Sequence, residues 1–254
     1  MEKPIVFRNK NGKQLIGILH LPEGKRNFPL VIICHGFGDD KTQRKFVRLA
    51  RVLEKNRIAS FRFDFEGCGD SEGDFLEATV EKEIKDLDSV VRYLQKIKNI
   101  TIKKIAFVGH SIGAIICALY LVRNQINVKT IIMWAPAFNQ KELMKYWATP
   151  EQIRQWERLG YLYRAGKEKI IGIDYFKENK DKDYSPILAQ IKAPILIIHG
   201  KKDDVVPLKF SKKLAKDYKN IKLVILPDAD HKFEDHFIQQ NLIKKTAYWL
   251  KKHL

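Results

Sequence analysis

Cysteine is scarce in this chain: three residues in 254, at Cys34, Cys68 and Cys117. An odd count without paired spacing excludes a disulfide framework. Cys34 ends an apolar run and Cys117 lies in a helical stretch, so only Cys68, between two glycines, is expected to be exposed. Nothing around Cys68 equips it as a thiol nucleophile. No apolar run reaches the roughly 18 residues that a membrane span needs. The start, Met1-Glu2-Lys3-Pro4, passes straight into strand-like sequence. It has neither the apolar core nor the cleavage site of a secretory signal, so a cytoplasmic protein is expected.

Acidic charge is also in deficit. Asp and Glu number 30 against 47 Lys and Arg, a net charge of +17. Such an excess raises the question of nucleic acid. The lysines, however, are spread along the chain and interleaved with acids, as in Glu81-Lys82-Glu83-Ile84-Lys85-Asp86. That is the pattern of solvated helix faces. The pairs Lys244-Lys245 and Lys251-Lys252 fall on the polar face of a C-terminal helix, so no dedicated nucleic-acid site is indicated. Hydrophobic content of 45% suits a globular core. The length suits one α/β domain carrying an insertion. Neither an internal repeat nor a low-complexity linker is visible.

The periodicity predicts alternating strands and helices. Ile5 to Leu21 reads as a hairpin turning at Asn11-Gly12. Pro29 to Cys34 is a continuous apolar run, as in a strand covered on both faces. Lys41 to Asn56 has Phe46, Leu49, Ala50 and Leu53 at helical spacing. Further strands are predicted at Ile58–Phe63, Lys104–Val108, Val128–Trp134, Pro194–His199 and Ile221–Leu226. Further helices are predicted at Val80–Ile97, from Ala114, at Lys209–Tyr218 and at Asp235–His253. This order implies a mostly parallel sheet with helices on both faces, and the hairpin at one edge. Residues 137–183 break the alternation and are dense in aromatics. A structureless loop of that length is unusual in a compact domain. It is read as a small helical cap, most of whose aromatics fill its own core. Residues 1–136 and 184–254 then form the main domain.

One short motif stands out. Gly109-His110-Ser111-Ile112-Gly113 fits G-x-S-x-G, with a strand before it and a helix after it. A serine on so sharp a turn is strained and exposed, and the helix start behind it favours developing negative charge. Glycines two residues either side avoid collision with neighbouring backbone.

A serine hydroxyl is a weak nucleophile. It needs a histidine base, an acid that orients that base, and donors for an oxyanion. In sheets of this type such groups gather beyond the carboxyl ends of the strands. After Ile195–Ile198 come Asp203 and Asp204, both acid candidates. After Val224–Leu226 comes His231, the base candidate. Ile112 and Phe37 are expected to supply the two oxyanion N–H groups, and the Phe37 ring to line the acyl pocket. Other histidines are assigned lesser roles. His110 would point away from the serine, His199 would satisfy backbone groups, and His35 would shape the His35-Gly36-Phe37-Gly38 loop. His20 and His253 would be surface or packing residues. The cluster around His236 reads H-x-x-E-x-H, one residue off a zinc motif, and lacks a third ligand. Gly67-Cys68-Gly69-Asp70-Ser71-Glu72-Gly73 resembles a dinucleotide loop, but its third glycine is displaced and no helix opens behind it. No metal and no cofactor are expected.

Taken together, His35-Gly36-Phe37-Gly38, Asp64 to Ser71, Gly109 to Gly113, the Gly200…Asp203…Pro207 loop and Ala229-Asp230-His231 resemble the α/β-hydrolase superfamily over almost the whole chain. The resemblance implies the α/β-hydrolase fold and favours Asp203 over Asp204 as the acid. Ser111, Asp203 and His231 would then be catalytic. The H-G-F loop, the cap position and Ala135-Pro136-Ala137 are similar to bacterial feruloyl/cinnamoyl esterases, with monoacylglycerol-lipase-like carboxylesterases also close. The expected activity is a serine carboxylesterase acting on hydroxycinnamoyl or short-to-medium acyl esters. The alternatives are a monoacylglycerol lipase-like enzyme or a non-catalytic α/β-hydrolase binding protein. Phe37, Trp134, Trp147, Tyr161, Tyr163 and Phe233 are expected to contact substrate. The expected partner is a small-molecule ester, with no nucleic acid and no membrane span, and a homodimer is a possible assembly.

Overall fold

The N-terminal hairpin forms where Asn11-Gly12 places it. Strands β1 (Glu2–Arg8) and β2 (Gln14–His20) pair antiparallel. Gly12 turns the chain at φ 79°, a conformation that only glycine enters freely. Asn9 closes the turn by accepting the Asn11 and Lys13 N–H groups at 3.0 Å each. These observations come from a computed structural model that describes residues 1–24, 27–164 and 169–254.

Strands and helices then alternate. In chain order they are β3 (Phe28–Cys34), α1 (Arg44–Lys55), β4 (Ala59–Phe63), α2 (Val80–Leu94), β5 (Ile100–His110), α3 (Ile112–Arg123) and β6 (Thr130–Trp134). After an insertion come β9 (Ile195–Gly200), α7 (Leu208–Asp217), β10 (Ile221–Leu226) and α8 (His236–His253). The eight-stranded sheet runs β1-β2-β4-β3-β5-β6-β9-β10. From β4 to β10 every pairing is parallel. Parallel strands need both faces covered, and two apolar clusters do this. One packs α2 and α3 on one face; the other packs α1 and α8 on the opposite face. Strands β4, β6 and β9 are buried at every residue, matching their unbroken apolar runs. This is the α/β-hydrolase fold. Among the described residues, no helix is long and apolar enough to cross a membrane.

The chain between β6 and β9 holds α4 (Gln140–Trp147), α5 (Pro150–Leu159), β7 (Tyr161–Arg164), β8 (Lys169–Gly172) and α6 (Ile173–Asn179). Residues 165–168 of the segment lie outside the described ones. The segment is therefore not wholly helical. Gly160, at φ 79°, ends α5, and Tyr161-Leu162-Tyr163 alternate outward, inward and outward in a two-stranded hairpin. Such an alternation is a strand signal that aromatic density masked. Gly172 sits so close to the 3-10 turn Phe75–Glu77 that a Cβ there would lie 1.7 Å from Leu76 O. At the far side, Glu178 accepts the Val80 and Glu81 N–H groups at 2.6 and 2.9 Å. It supplies orphan donors of α2 with an acceptor.

Cys68 is buried, contrary to expectation. The turn from Phe65 to Ser71 folds it inward, with Cys68 N–H donating to Phe65 O and its carbonyl accepting Ser71 N–H, both at 3.0 Å.

Contact between α3 and β3 sets where Ser111 stands. A Cβ on Gly113 would lie 2.5 Å from His35 O and 2.6 Å from Cys34 O, both backbone atoms that cannot yield cheaply. Gly113→Ala is expected to destabilise the fold by about 1–3 kcal/mol, the usual cost of overpacking. Thermal melting of the variant against the parent measures it, and an unchanged melting temperature contradicts the reading.

Candidate active site

Ser111 lies between β5 and α3 with φ 54° and ψ −115°. A side chain in this region is strained by about 1–3 kcal/mol and persists only where the surroundings dictate it. They do so here. Ser111 N–H donates to Trp134 O at 2.8 Å. A Cβ on Gly109 would collide with Gly113 O and Ala114 N at 2.5 Å, so the turn closes only with glycine. The serine backbone is thereby fixed by β6, α3 and the end of β3.

His231 follows β10 and Asp203 follows β9, so loops at three strand ends converge. Ser111 Oγ lies 3.1 Å from His231 Nε2, and His231 Nδ1 lies 2.8 Å from Asp203 Oδ2. All three residues are buried. Gly200 lets the Asp203 and His231 loops approach closely: a Cβ there would stand 2.2 Å from Ala229 O. Asp203 is oriented on both oxygens. Oδ1 accepts the Val205 and Val206 N–H groups at 2.9 and 2.7 Å, and Oδ2 faces His199 Nε2 at 3.1 Å as well as His231. Burial alone would raise this carboxyl, but the hydrogen bonds from His199 and His231 outweigh it and hold it well below the usual carboxylate range. Asp204 points outward and is exposed. The structure therefore joins Ser111, His231 and Asp203 in one hydrogen-bonded line and leaves Asp204 out of it.

Two further histidines support this line. His110 does point away from the Ser111 hydroxyl, but it is not idle: its Nε2 lies 2.9 Å from the carbonyl of His231. Burial and the nearby Lys45 ammonium push the His110 pKa down to about 4, so the ring is neutral and Nε2–H donates to that carbonyl. Lys45, also buried, donates to the next carbonyl, that of Lys232, at 3.1 Å. His35 acts as expected on its loop: Nδ1 lies 2.7 Å from Gly36 O, and Nε2 accepts Phe65 N–H at 3.1 Å. His199 bonds Ser211 Oγ and Val206 O in addition to facing Asp203.

Ser111 opens into a cavity of about 630 Å³. Gly36, Phe37 and Ile112 border it next to the serine. Ile112 is the first residue of α3, where N–H groups have no intrahelical acceptor, and the Phe37 N–H has no acceptor among the described residues. The apolar wall carries Trp147, Trp156, Leu162, Tyr163, Ile171 and Tyr175 from the insertion, together with Phe75. Phe37 packs against Tyr175 and Phe75 at ring-centroid distances of 4.1 and 4.8 Å.

Three expected contacts fail. Trp134 is fully buried on the other side of the sheet, stacked on Phe46 and donating through Nε1 to Thr246 Oγ1 at 3.1 Å. Its strand position, all residues covered, decides this. Phe233 is likewise buried, against Trp134 and His110. Tyr161 is exposed and does not border the cavity, although Leu162 and Tyr163, which follow it on β7, both do. Phe37, Trp147 and Tyr163 do line it. Asp39 and Lys232, also in the lining, were not anticipated, although Asp39 stands two residues after Phe37 and Lys232 next to His231. Among the described residues, no group of three or more His, Cys, Asp or Glu is arranged to hold a metal ion.

Comparison with known proteins points to a hydrolase family. Residues 26–168 match the family Hydrolase_4, described as serine aminopeptidase, S33. A mouse protein, serine hydrolase BPHL, is 23% identical over 234 residues, covering 84% of this chain and 78% of that protein. Esterase EstD of Thermotoga maritima is 25% identical over 258 residues, covering 91% of this chain and 59% of that protein. Among solved structures, Est1E from Butyrivibrio proteoclasticus with ferulic acid bound superposes with a TM-score of 0.86 at 25% identity, covering 98% of each chain.

Asp203→Asn is expected to damage hydrolysis of a nitrophenyl ester far more than Asp204→Asn. Asn opposite Nδ1 favours the wrong histidine tautomer, an effect of about 10⁴ in turnover in serine proteases. Steady-state kinetics on both variants decides, and a worse Asp204→Asn would overturn the assignment.

Proposed function

The chain belongs to the Hydrolase_4 family and is an ester-hydrolysing enzyme; from that premise we propose that it is a serine carboxylesterase working through an acyl-enzyme intermediate. The single observation that supports this most is the line from Ser111 through His231 to Asp203, set at 3.1 and 2.8 Å beside two free N–H groups.

In this reading Ser111 Oγ attacks the ester carbonyl carbon while His231 Nε2 takes its proton. Asp203, already ionised, holds Nδ1–H and stabilises the imidazolium that forms. The carbonyl oxygen becomes negative as the tetrahedral adduct forms, and the Ile112 and Phe37 N–H groups face it. His231 then gives its proton to the leaving alcohol oxygen, the C–O bond breaks, and the acyl group stays on Ser111. A water, deprotonated by the now neutral His231, attacks the acyl carbon; His231 returns that proton to Ser111 Oγ as the bond from Oγ to the acyl carbon breaks, and the acid is released. No step needs a metal or an organic cofactor.

Residues 137–183 act as a cap that sets acyl preference and supplies no chemistry. Their apolar wall suits the acyl half of an ester, since binding sites of this kind are mostly apolar with few polar anchors. The likeness to Est1E with bound ferulic acid favours an aromatic acyl group such as a hydroxycinnamate over a simple aliphatic one. Trp147 fits a fixed wall residue, because its Nε1 donates to Val205 O at 2.9 Å and ties the cap to the loop after Asp203.

Ser111→Ala is expected to stay folded and to lose activity by a factor on the order of 10⁶ in turnover, as triad serines do. The assay is a panel of nitrophenyl esters of rising chain length, a methyl hydroxycinnamate and a monoacylglycerol. Activity within tenfold of the parent removes Ser111 from its role. On the same panel, Trp147→Ala and Tyr163→Ala should change the substrate ranking, whereas Tyr161→Ala should not. A ranking preserved in the first two variants means that the acyl pocket is built elsewhere.

A further inference from the structure

The cavity beside Ser111 has two unlike walls. The apolar one belongs largely to the insertion. On the His231 side stand Asp39, His110 and Lys232. Asp39 belongs to the loop that carries Phe37, and its side chain is only 21% exposed. Its carboxylate accepts no hydrogen bond among the described residues. The nearest donor candidate, His110 Nδ1, lies 3.6 Å from Oδ2 and is itself without a hydrogen-bond partner. Because His110 uses its Nε2–H on the His231 carbonyl, its Nδ1 carries no proton to offer.

A carboxylate that lines a cavity without a hydrogen bond from the protein is open to a donor brought by a ligand. Burial would raise the Asp39 carboxyl, whereas the nearby Lys45 ammonium favours its ionised form. Its position is specific. A Cβ placed on Gly36 would stand 3.4 Å from Asp39 Oδ2 and equally 3.4 Å from Ser111 Cβ. The carboxylate oxygen and the serine thus lie within twice that distance of each other, facing one cavity.

His231 fixes which half of a substrate comes here. It protonates the leaving oxygen, so the alcohol departs along its side, while the acyl group fits the apolar wall. We propose that Asp39 selects the leaving group by accepting a hydrogen bond from a hydroxyl on the alcohol half of the ester. Lys232, whose ammonium is half exposed and lies 3.4 Å from Glu234 Oε1, completes a mixed-charge border. Asp39 disfavours an anionic alcohol there and Lys232 a cationic one. The favoured leaving group is therefore a neutral alcohol bearing a second hydroxyl. This rests on the serine-esterase reading above.

The test uses two esters of one hydroxycinnamic acid, the ethyl ester and the 2-hydroxyethyl ester, which differ by one hydroxyl. The readout is the ratio of their kcat/KM values. The parent should prefer the hydroxyethyl ester by roughly tenfold, the lower end for a hydrogen bond to a charged group. Asp39→Leu should bring the ratio to about one, and Asp39→Asn should retain part of the preference because its carbonyl still accepts. A parental ratio near one overturns the proposal. So does an Asp39→Leu that lowers both esters by the same factor, since Asp39 would then act only through His110. Thermal melting confirms that each variant is folded; where Asp39→Leu is not, the parental ratio and Asp39→Asn decide. Hydrolysis of the ethyl ester that survives Ser111→Ala is a separate result, and it overturns the esterase reading itself.

Discussion

The backbone of Ser111 is the constraint on which the rest depends. A non-glycine residue at φ 54° is strained, and three neighbours keep it there: the Trp134 carbonyl that takes its N–H, the Gly109 contact with Gly113 and Ala114, and the Gly113 contact with the end of β3. Close packing without room for a single extra carbon is what makes the strain affordable to the fold. The consequence is chemical. The same turn lifts the hydroxyl out of the sheet, starts α3 so that the Ile112 N–H faces outward, and brings the His35–Gly38 loop alongside.

His231 is held as tightly as Ser111. His231 sits on a loop whose next residues have no regular structure, and Phe233 in it takes φ 54°. Its order comes from beneath. His110 and Lys45 each hold one of two consecutive carbonyls, at His231 and Lys232, while the buried Phe233 ring anchors the loop against Trp134. A lysine buried for the sake of one carbonyl is unusual, since burial penalises its charge. Asp39 is among the acids that offset this penalty. The loop that carries Phe37 and Asp39, the loop that carries His231 and the helix α1 that bears Lys45 are therefore coupled electrostatically as well as by packing.

Much of this was legible in the sequence, and for identifiable reasons. The strands β3, β6 and β9 are unbroken apolar runs because both their faces are covered, and runs of that kind are readable without an alignment. Ser111, Asp203 and His231 follow the apolar ends of β5, β9 and β10, so their convergence could be inferred from topology. The failures share another cause: which way a side chain points when its element is short or its environment is tertiary. Trp134 and Phe233 are near the site in sequence but turn to the opposite side of the sheet. Tyr161 and Tyr163 share the outward face of one strand, with Leu162 turned inward between them, and only Tyr163 borders the cavity; aromatic density hid the hairpin that sets this pattern. Cys68 is flanked by glycines, yet the turn that those glycines permit folds the thiol inward. Asp39 escaped notice because an acid in a loop carries no periodic signal; only its lack of a partner in three dimensions makes it conspicuous.

The central claim is that Ser111 alone, among the serines of this chain, is an activated nucleophile. A fluorophosphonate reports this directly, since an activated serine oxygen displaces fluoride and keeps the phosphonyl group. Incubating the intact protein with such a probe, followed by mass spectrometry of the whole chain and of its peptides, is the measurement. The account predicts one adduct per chain, carried by the peptide that contains Ser111. An unlabelled protein, or a label on any other residue, would contradict it.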